Sequence, residues 1–209
     1  MKTPRAVADS RAAAGGVRQI RMQETRARLF DAALAEIDRS GLAGADVTAI
    51  ASAAGVVRGT FYFHFPTKEH VLVELEVSEE ARIVAELDAA QASTDDLVSV
   101  LSLLVRHVVA AEHRLGPVLF REMLGLHFSA NRPVQDAVSE HPLAEFVIAA
   151  ITTAQEAGRV PADSDAAELG VFFMTGLFAL LATGAHASAT ADAVVGRYVT
   201  TLVKGMETR

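Results

Sequence analysis

The residues best suited to chemistry lie between Asp46 and Lys68. One short segment combines a cation, a glycine that exposes backbone, a hydroxyl, an amphipathic ring and an imidazole: Arg58, Gly59, Thr60, Tyr62 and His64. These groups suit contacts to phosphates and to base edges in a DNA major groove. Phe61 and Phe65 are interleaved with them and are predicted to face a core.

The spacing before this segment predicts a helix-turn-helix. Asp46 is a good N-cap residue for a first short helix. The apolar face of that helix consists of Val47, Ile50, Ala51 and Ala54. Gly55, four positions after Ala51, tolerates the dihedral angles of a tight turn, and Val56 follows as a small apolar plug. The second short helix is predicted from about Arg58 to His64.

The elements that position this segment are all predicted to be helices. Apolar residues recur at helical spacing, and no run alternates apolar and polar residues over a strand length. The further helices are predicted at about Arg21–Arg39, Lys68–Ala90, Asp95–Ala111, Pro117–Phe128, Pro133–Ala157, Ala166–Gly184 and Thr190–Met206. The fold class is therefore all-α, with about nine helices. Three regions are expected: a flexible basic tail at 1–19, a DNA-binding domain at 20–66 and a helical bundle for ligand binding and dimerisation at 67–209.

Charge is distributed unevenly along the 209 residues. The net charge is −7, but the first 70 residues carry +3 and the remainder −10. A polyanion would therefore meet the N-terminal third. Because there are no cysteines, disulfides, thiol nucleophiles and thiolate metal sites are excluded. No signal peptide is visible in the first 21 residues, so a cytoplasmic location is expected.

The segment Leu169–Ala185 raises the question of a membrane span. It has 17 residues without a charge, whereas a span needs about 20 predominantly apolar residues. A helix this apolar is otherwise buried in a core or an interface. No membrane partner is expected, and the last two helices are predicted to form a homodimer interface.

Residues 25–72 resemble the DNA-binding domain of the TetR family of bacterial transcriptional regulators. The resemblance is carried by TRARLFDAALAEIDRSGLAGADVTAIASAAGV, RGTFYFHF and PTKEHVL. It implies a homodimer on a palindromic operator in double-stranded DNA, and repression relieved by a small-molecule effector. It places Tyr62, His64 and Lys68 at phosphate contacts. It also places Arg58, Gly59 and Thr60 at bases and backbone, and Thr48 near a backbone contact.

Two positions depart from the family pattern. Val57 stands where a capping serine is common and has no cap oxygen. Ala49 stands where an acid would complete a capping box, so Asp46 is expected to lack a reciprocal partner.

The effector site is less defined by sequence. Aromatic and methionine side chains of the bundle would suit an apolar or aromatic ligand, although such residues also form ordinary cores. The candidate lining is Phe120, Met123, Phe146, Phe172 and Phe173, with His107, Glu122 and His127 as polar anchors. The histidines do not repeat at a metal-ligand spacing, so no metal is expected. No catalytic residues and no cofactor are predicted.

Structural roles remain open for individual residues. Arg58 could pair with Glu69 or Asp46, Tyr62 could pack on Pro66, and His64 could cap a helix. The alternative function is a helical small-molecule-binding protein or enzyme that does not bind DNA. A third possibility is an adaptor whose short helices bind protein.

Overall fold

The computed structural model describes residues 4–90, 96–133, 141–183 and 191–207, with the side chains of 4–15 and 191–192 outside the description. All regular structure in these ranges is helical. The helices are α1 (Pro4–Gly44), α2 (Val47–Ala53), α3 (Arg58–His64), α4 (Lys68–Ala89), α5 (Leu97–Leu115), α6 (Pro117–His127), α7 (Pro142–Glu156), α8 (Ala166–Ala182) and α9 (Ala191–Met206). The chain divides into unit 1 (Met1–Val71) and unit 2 (Leu72–Arg209). Among the described helices, none has the length and apolarity needed to cross a membrane.

Most helix bounds agree with the sequence prediction, and α1 and α7 are the exceptions. The prediction began the first helix near Arg21, whereas α1 begins at Pro4. Residues 4–19, expected to form a flexible tail, are therefore helical. Their alanines and arginines favour a helix strongly enough to outweigh two glycines. The structure begins α7 at Pro142, a favourable first position for proline, whereas the prediction began at Pro133. Residues 134–140 lie outside the described part.

The core of unit 1 joins α1, α2, α3 and the first turn of α4. Its buried members are Leu29, Ala33, Val47, Ile50, Ala54, Phe61, Phe65 and Val71. Gly55 forms the predicted turn between α2 and α3, with a φ of 70° that favours glycine. The amide of Val56 donates to the carbonyl of Ala51 over 2.9 Å, and its side chain packs on the core. The predicted helix-turn-helix is therefore present.

The seven-residue helix α3 is held from its buried side. The ring of Phe61 is fully buried, and that of Phe65 is 1% exposed. The guanidinium of Arg26, on α1, lies 4.2 Å from the centroid of the Phe65 ring. Its Nη1 also donates a 2.8 Å hydrogen bond to the carbonyl of His64. These contacts fix which side of α3 faces outward.

Helices α5 and α8 are central to the packing of unit 2. Helix α5 packs against α6, α7 and α9, while α8 packs against α6, α7 and α9. A close approach between α8 and α9 requires Gly176, because a Cβ there would lie 2.5 Å from the Tyr198 hydroxyl oxygen. The predicted burial of the apolar α8 segment is correct for one side of the helix. The other side exposes Val171 and Phe172, at 56% and 57%.

We expect Phe61→Ala to lower the free energy of unfolding of unit 1 by about 3–5 kcal/mol, because it leaves a cavity in a fully buried site. Phe63→Ala on the same helix is the matched control, since Phe63 is 74% exposed, and its effect should stay within about 0.5 kcal/mol. Urea denaturation followed by circular dichroism measures both. Equal effects of the two substitutions would contradict the assigned orientation of α3.

Candidate functional site

The outward side of α3 carries the polar residues that the sequence singled out. Arg58 and Gly59 are exposed, Thr60 is half-buried, and Tyr62 is 44% exposed. Arg58 Nη2 donates to the Tyr62 hydroxyl over 3.3 Å. The hydrogen-bond partner of Arg58 is thus a neighbour one turn away, while Asp46 interacts with Arg58 through its charge. The pair forms a polar edge that leaves its remaining donors directed to solvent.

Two exposed apolar residues on this side were missed by the sequence reasoning. Val57 is 75% exposed and Phe63 is 74% exposed. The signal was available for Phe63, because it lies midway between Phe61 and Phe65, and these two define the buried side at helical spacing. An exposed apolar side chain beside polar donors is suited to contact a thymine methyl group.

His64 lies half-buried at the C-terminal end of α3. Burial and the neighbouring Arg26 cation lower the pKa of its imidazole below the usual value. Near neutral pH the ring is therefore uncharged and can offer one N–H donor rather than a positive charge. Its predicted phosphate contact would accordingly be a hydrogen bond.

The start of α2 is capped from two directions. The Asp46 carboxylate accepts a 2.8 Å hydrogen bond from the amide of Thr48, which leaves Thr48 exposed at the first turn. The amide of Asp46 donates to Glu36 Oε1 over 3.3 Å. The expectation that Asp46 lacks a reciprocal partner is therefore wrong, because the acid comes from α1 instead of the third position of α2. The expectation that Val57 offers α3 no side-chain cap is confirmed.

Glu36 is held in position for this cap by Arg39. Their side chains form a 2.6 Å ion pair one turn apart on α1. The hydrogen bond from Arg39, followed by the one from the Asp46 amide, lowers the pKa of Glu36. The carboxylate that accepts the Asp46 amide is therefore ionised at neutral pH.

Lys68, predicted to contact phosphate, has intramolecular partners. Its Nζ donates to the carbonyls of Leu42, Ala43 and Ala45, over 2.7, 3.3 and 2.9 Å. An ammonium group has three N–H donors, so all three are engaged. Lys68 therefore ties the start of α4 to the turn between α1 and α2, and a phosphate contact would require it to release a carbonyl.

We expect Lys68→Met to lower the free energy of unfolding by about 1–3 kcal/mol, because part-buried carbonyls lose their donor. The control is Lys204→Met, since Lys204 is exposed on α9, and it should change stability by less than about 0.5 kcal/mol. Thermal and urea unfolding measure both variants. An unchanged stability of Lys68→Met would show that the three hydrogen bonds are dispensable.

Unit 2 contains a cavity of about 20 Å³, which is room for about one water molecule. Two predicted ligand residues, Phe120 and Met123, line it. The full lining is Glu76, Glu79, Glu80, Ile83, Val108, Ala111, Phe120, Met123, Leu124, Leu143 and Phe178. In this state the cavity is far smaller than the roughly 300–1,000 Å³ of a typical ligand pocket.

The other predicted ligand residues lie apart from this lining. Phe172 is exposed, and Phe173 is fully buried against Tyr198. The sequence predicted that Phe172 faces inward. Because α8 is apolar on all sides, its pattern does not indicate which residues face the core. His107 bonds Glu86, while His127 bonds Glu76 beside the cavity. Glu122 and Phe146 are half-buried outside the lining.

Two buried carboxylates beside the cavity were also missed. Glu76 and Glu80 are 2% and 4% exposed. The sequence signal was their register, since 72, 76, 80, 83 and 87 form one continuous helical stripe whose other members are apolar. Burial raises the pKa of Glu76, but hydrogen bonds from His127 and Arg132 outweigh it and hold that pKa below its usual value.

The fold and this geometry define a class. An N-terminal helix-turn-helix with an outward polar edge, followed by a larger helical unit, is the arrangement of a helix-turn-helix regulator. In a comparison with known protein families, residues 29–75 match the model of the bacterial regulatory proteins of the tetR family. The helix-turn-helix segment of this chain is therefore similar to that of the tetR family.

Individual relatives agree with this placement. Over 88 residues the chain is 36% identical to the HTH-type transcriptional regulator AcrR of Shigella flexneri, covering 42% of this chain and 41% of the relative. Over 68 residues it is 40% identical to the HTH-type transcriptional repressor KstR of Mycolicibacterium smegmatis, covering 32% and 33%. The matched part thus spans less than half of each of these two curated relatives. These relatives are regulators rather than enzymes.

The similarity in structure extends further along the chain. Thermus thermophilus FadR, a TetR-family transcriptional repressor solved with lauroyl-CoA, superposes with a TM-score of 0.72 at 25% identity. The match covers 88% of this chain and 96% of that one. The all-α fold predicted from sequence is confirmed.

Proposed function

We propose that this protein is a ligand-responsive transcriptional repressor that binds a palindromic operator as a homodimer in the cytoplasm. The observation that carries the proposal is the orientation of α3. Phe61 and Phe65 are buried, while Arg58, Gly59 and Tyr62 are exposed to solvent. Two such helices in a dimer would enter major grooves about 34–36 Å apart.

The contacts of unit 1 fall into two kinds. Tyr62, His64 and the exposed Thr48 offer hydroxyl or neutral N–H donors, which suit phosphate oxygens and fix the orientation of the protein on DNA. Arg58 suits guanine, and the exposed Phe63 suits a thymine methyl group. Gly59 lets the backbone come close, because nothing lies within 4 Å of its side-chain position. Thr60 lies on the same helix. Lys68 donates hydrogen bonds to three carbonyls near the turn after α1.

The positive charge of the first 70 residues favours this use of unit 1. The alternative of a bundle protein that never touches DNA leaves that charge and the exposed polar edge without a role. Both observations therefore favour DNA over a protein partner for α3.

We expect Arg58→Ala to change sequence preference, with a loss of about 1–3 kcal/mol at its own base pair. Tyr62→Phe should instead weaken binding to all duplexes alike. Fluorescence anisotropy with duplexes from the DNA upstream of the coding region measures both. In a salt titration, the logarithm of affinity should fall linearly with the logarithm of salt concentration, with a slope of about −0.9 for each phosphate that the protein neutralises.

Arg106→Ala, an exposed cation on α5, is the matched control and should bind as the parent does. If Arg58→Ala and Tyr62→Phe also bind like the parent, the outward side of α3 does not contact DNA. If the parent shows no salt dependence, the proposal as a whole is wrong.

We propose that dimerisation uses the last two helices. The exposed side of α8 carries Val171 and Phe172, each more than half exposed, together with Thr175 and Ala179 at helical spacing. Apolar side chains so arranged are typical of a surface that another chain covers. A stable dimer buries about 1,200–2,000 Å² in total.

We expect Phe172→Glu to convert the dimer to a monomer, because a carboxylate would be buried opposite its own copy. Phe128→Glu is the control, since Phe128 is 48% exposed in the same unit and should leave the dimer intact. Sedimentation velocity at micromolar concentration distinguishes the two. A parent protein that sediments as a monomer would overturn this assignment.

The effector is proposed to be apolar or aromatic and to enter unit 2 at the cavity beside Phe120 and Met123. The lauroyl-CoA bound by Thermus thermophilus FadR supports an apolar ligand. The cavity of about 20 Å³ must widen to admit one, so the ligand favours a wider state. The free energy of operator binding then becomes less favourable by the difference in ligand-binding free energy between the two states, which is typically about 1–3 kcal/mol.

A further inference from the structure

A cluster of oxygen and nitrogen ligands lies beside the cavity of unit 2. Glu76 and Glu80, one turn apart on α4, are buried, and His141 lies half-buried where α7 begins. One ligand atom from each lies within 4.8 Å of the others. Carboxylate oxygen and imidazole nitrogen are common ligands of divalent zinc and its neighbours in the first transition series.

The charges around this cluster are unequally compensated. Glu76 receives Arg132 Nη1 at 2.6 Å and His127 Nδ1 at 3.0 Å. Glu79, one residue before Glu80, receives Arg114 Nη2 at 2.9 Å.

Glu80 has weaker partners. Among the described residues, these are the Leu143 amide at 3.4 Å and His141 Nδ1 at 3.8 Å. A buried carboxylate is costly unless it is paired or coordinates a metal. Glu80 is therefore the group in this cluster with the strongest demand for a cation.

Space for an ion adjoins the two carboxylates. Both Glu76 and Glu80 line the cavity of about 20 Å³, which is close to the size of one water molecule. The rest of that lining is largely apolar and includes Phe120, Met123 and Leu143.

We propose that Glu76, Glu80 and His141 bind one divalent transition-metal cation of the zinc class. Tetrahedral ligands with bonds of about 2.0–2.1 Å lie about 3.3 Å apart, so ligand atoms that now lie within 4.8 Å of one another must close by up to about 1.5 Å. A fourth position remains for water or another ligand. His127 and Arg132 hold the Glu76 carboxylate, as outer hydrogen-bond partners do around metal ligands. This inference does not depend on DNA binding.

The test is isothermal titration calorimetry of the full chain, without DNA, using ZnCl₂ and separately MgCl₂. The parent is expected to bind one Zn²⁺ per chain and to prefer it to Mg²⁺, because imidazole suits zinc and Mg²⁺ prefers oxygen ligands. His141→Ala and Glu80→Gln should each weaken Zn²⁺ binding by at least about tenfold. His113→Ala, an exposed histidine on α5, is the control and should bind like the parent.

Circular dichroism identifies any variant that fails to fold. Because His141 is half-buried at a helix start, His141→Ala remains informative if Glu80→Gln unfolds. Titration with Co²⁺ adds a spectroscopic readout, since the visible absorption of the bound ion should be lost in His141→Ala and retained in His113→Ala. Three results would overturn the proposed site. They are an unchanged Zn²⁺ affinity in His141→Ala, an equal loss of affinity in His113→Ala, and an affinity for Mg²⁺ that matches that for Zn²⁺.

Discussion

Helix α3 has only seven residues, and a helix of that length has no appreciable stability of its own in water. Its conformation and its orientation both depend on the burial of Phe61 and Phe65 in the core of unit 1. Because these rings lie on one side, Phe63 on the opposite side faces outward. The exposed polar edge of Arg58 and Tyr62 borders this buried side.

The surroundings of α3 reinforce that orientation with polar contacts to backbone. Arg26 binds the His64 carbonyl, Lys68 binds three carbonyls near the turn after α1, and Glu36 caps Asp46. Each contact joins residues distant in sequence and satisfies a backbone group that would otherwise lack a partner. In a unit with so small a core, such contacts supply rigidity that burial alone cannot.

In unit 2, charged side chains lie in a core that would be expected to be apolar. The stripe of α4 that buries Leu72, Ile83 and Leu87 also buries Glu76 and Glu80. Ionised carboxylates inside a helical bundle cost stability unless cations compensate them, and three described side chains gather around Glu76 and Glu80 for that purpose: His127, Arg132 and His141. A bundle serving only as a dimerisation body would have no need of this arrangement. The polar cluster beside the cavity therefore distinguishes this stripe from an ordinary apolar core.

Helical periodicity by itself determined the all-α fold, most helix bounds, the turn at Gly55 and the burial of Phe61 and Phe65, because these follow from local spacing. Local spacing did not predict the helical start of α1, where many good helix formers outweigh two glycines. Tertiary structure alone decided the partners of Lys68 and Asp46 and the outward direction of Phe172. It also brought His141 to two acids of α4. These features depend on which distant segments meet, and a pattern within one segment carries no information about its neighbours in space.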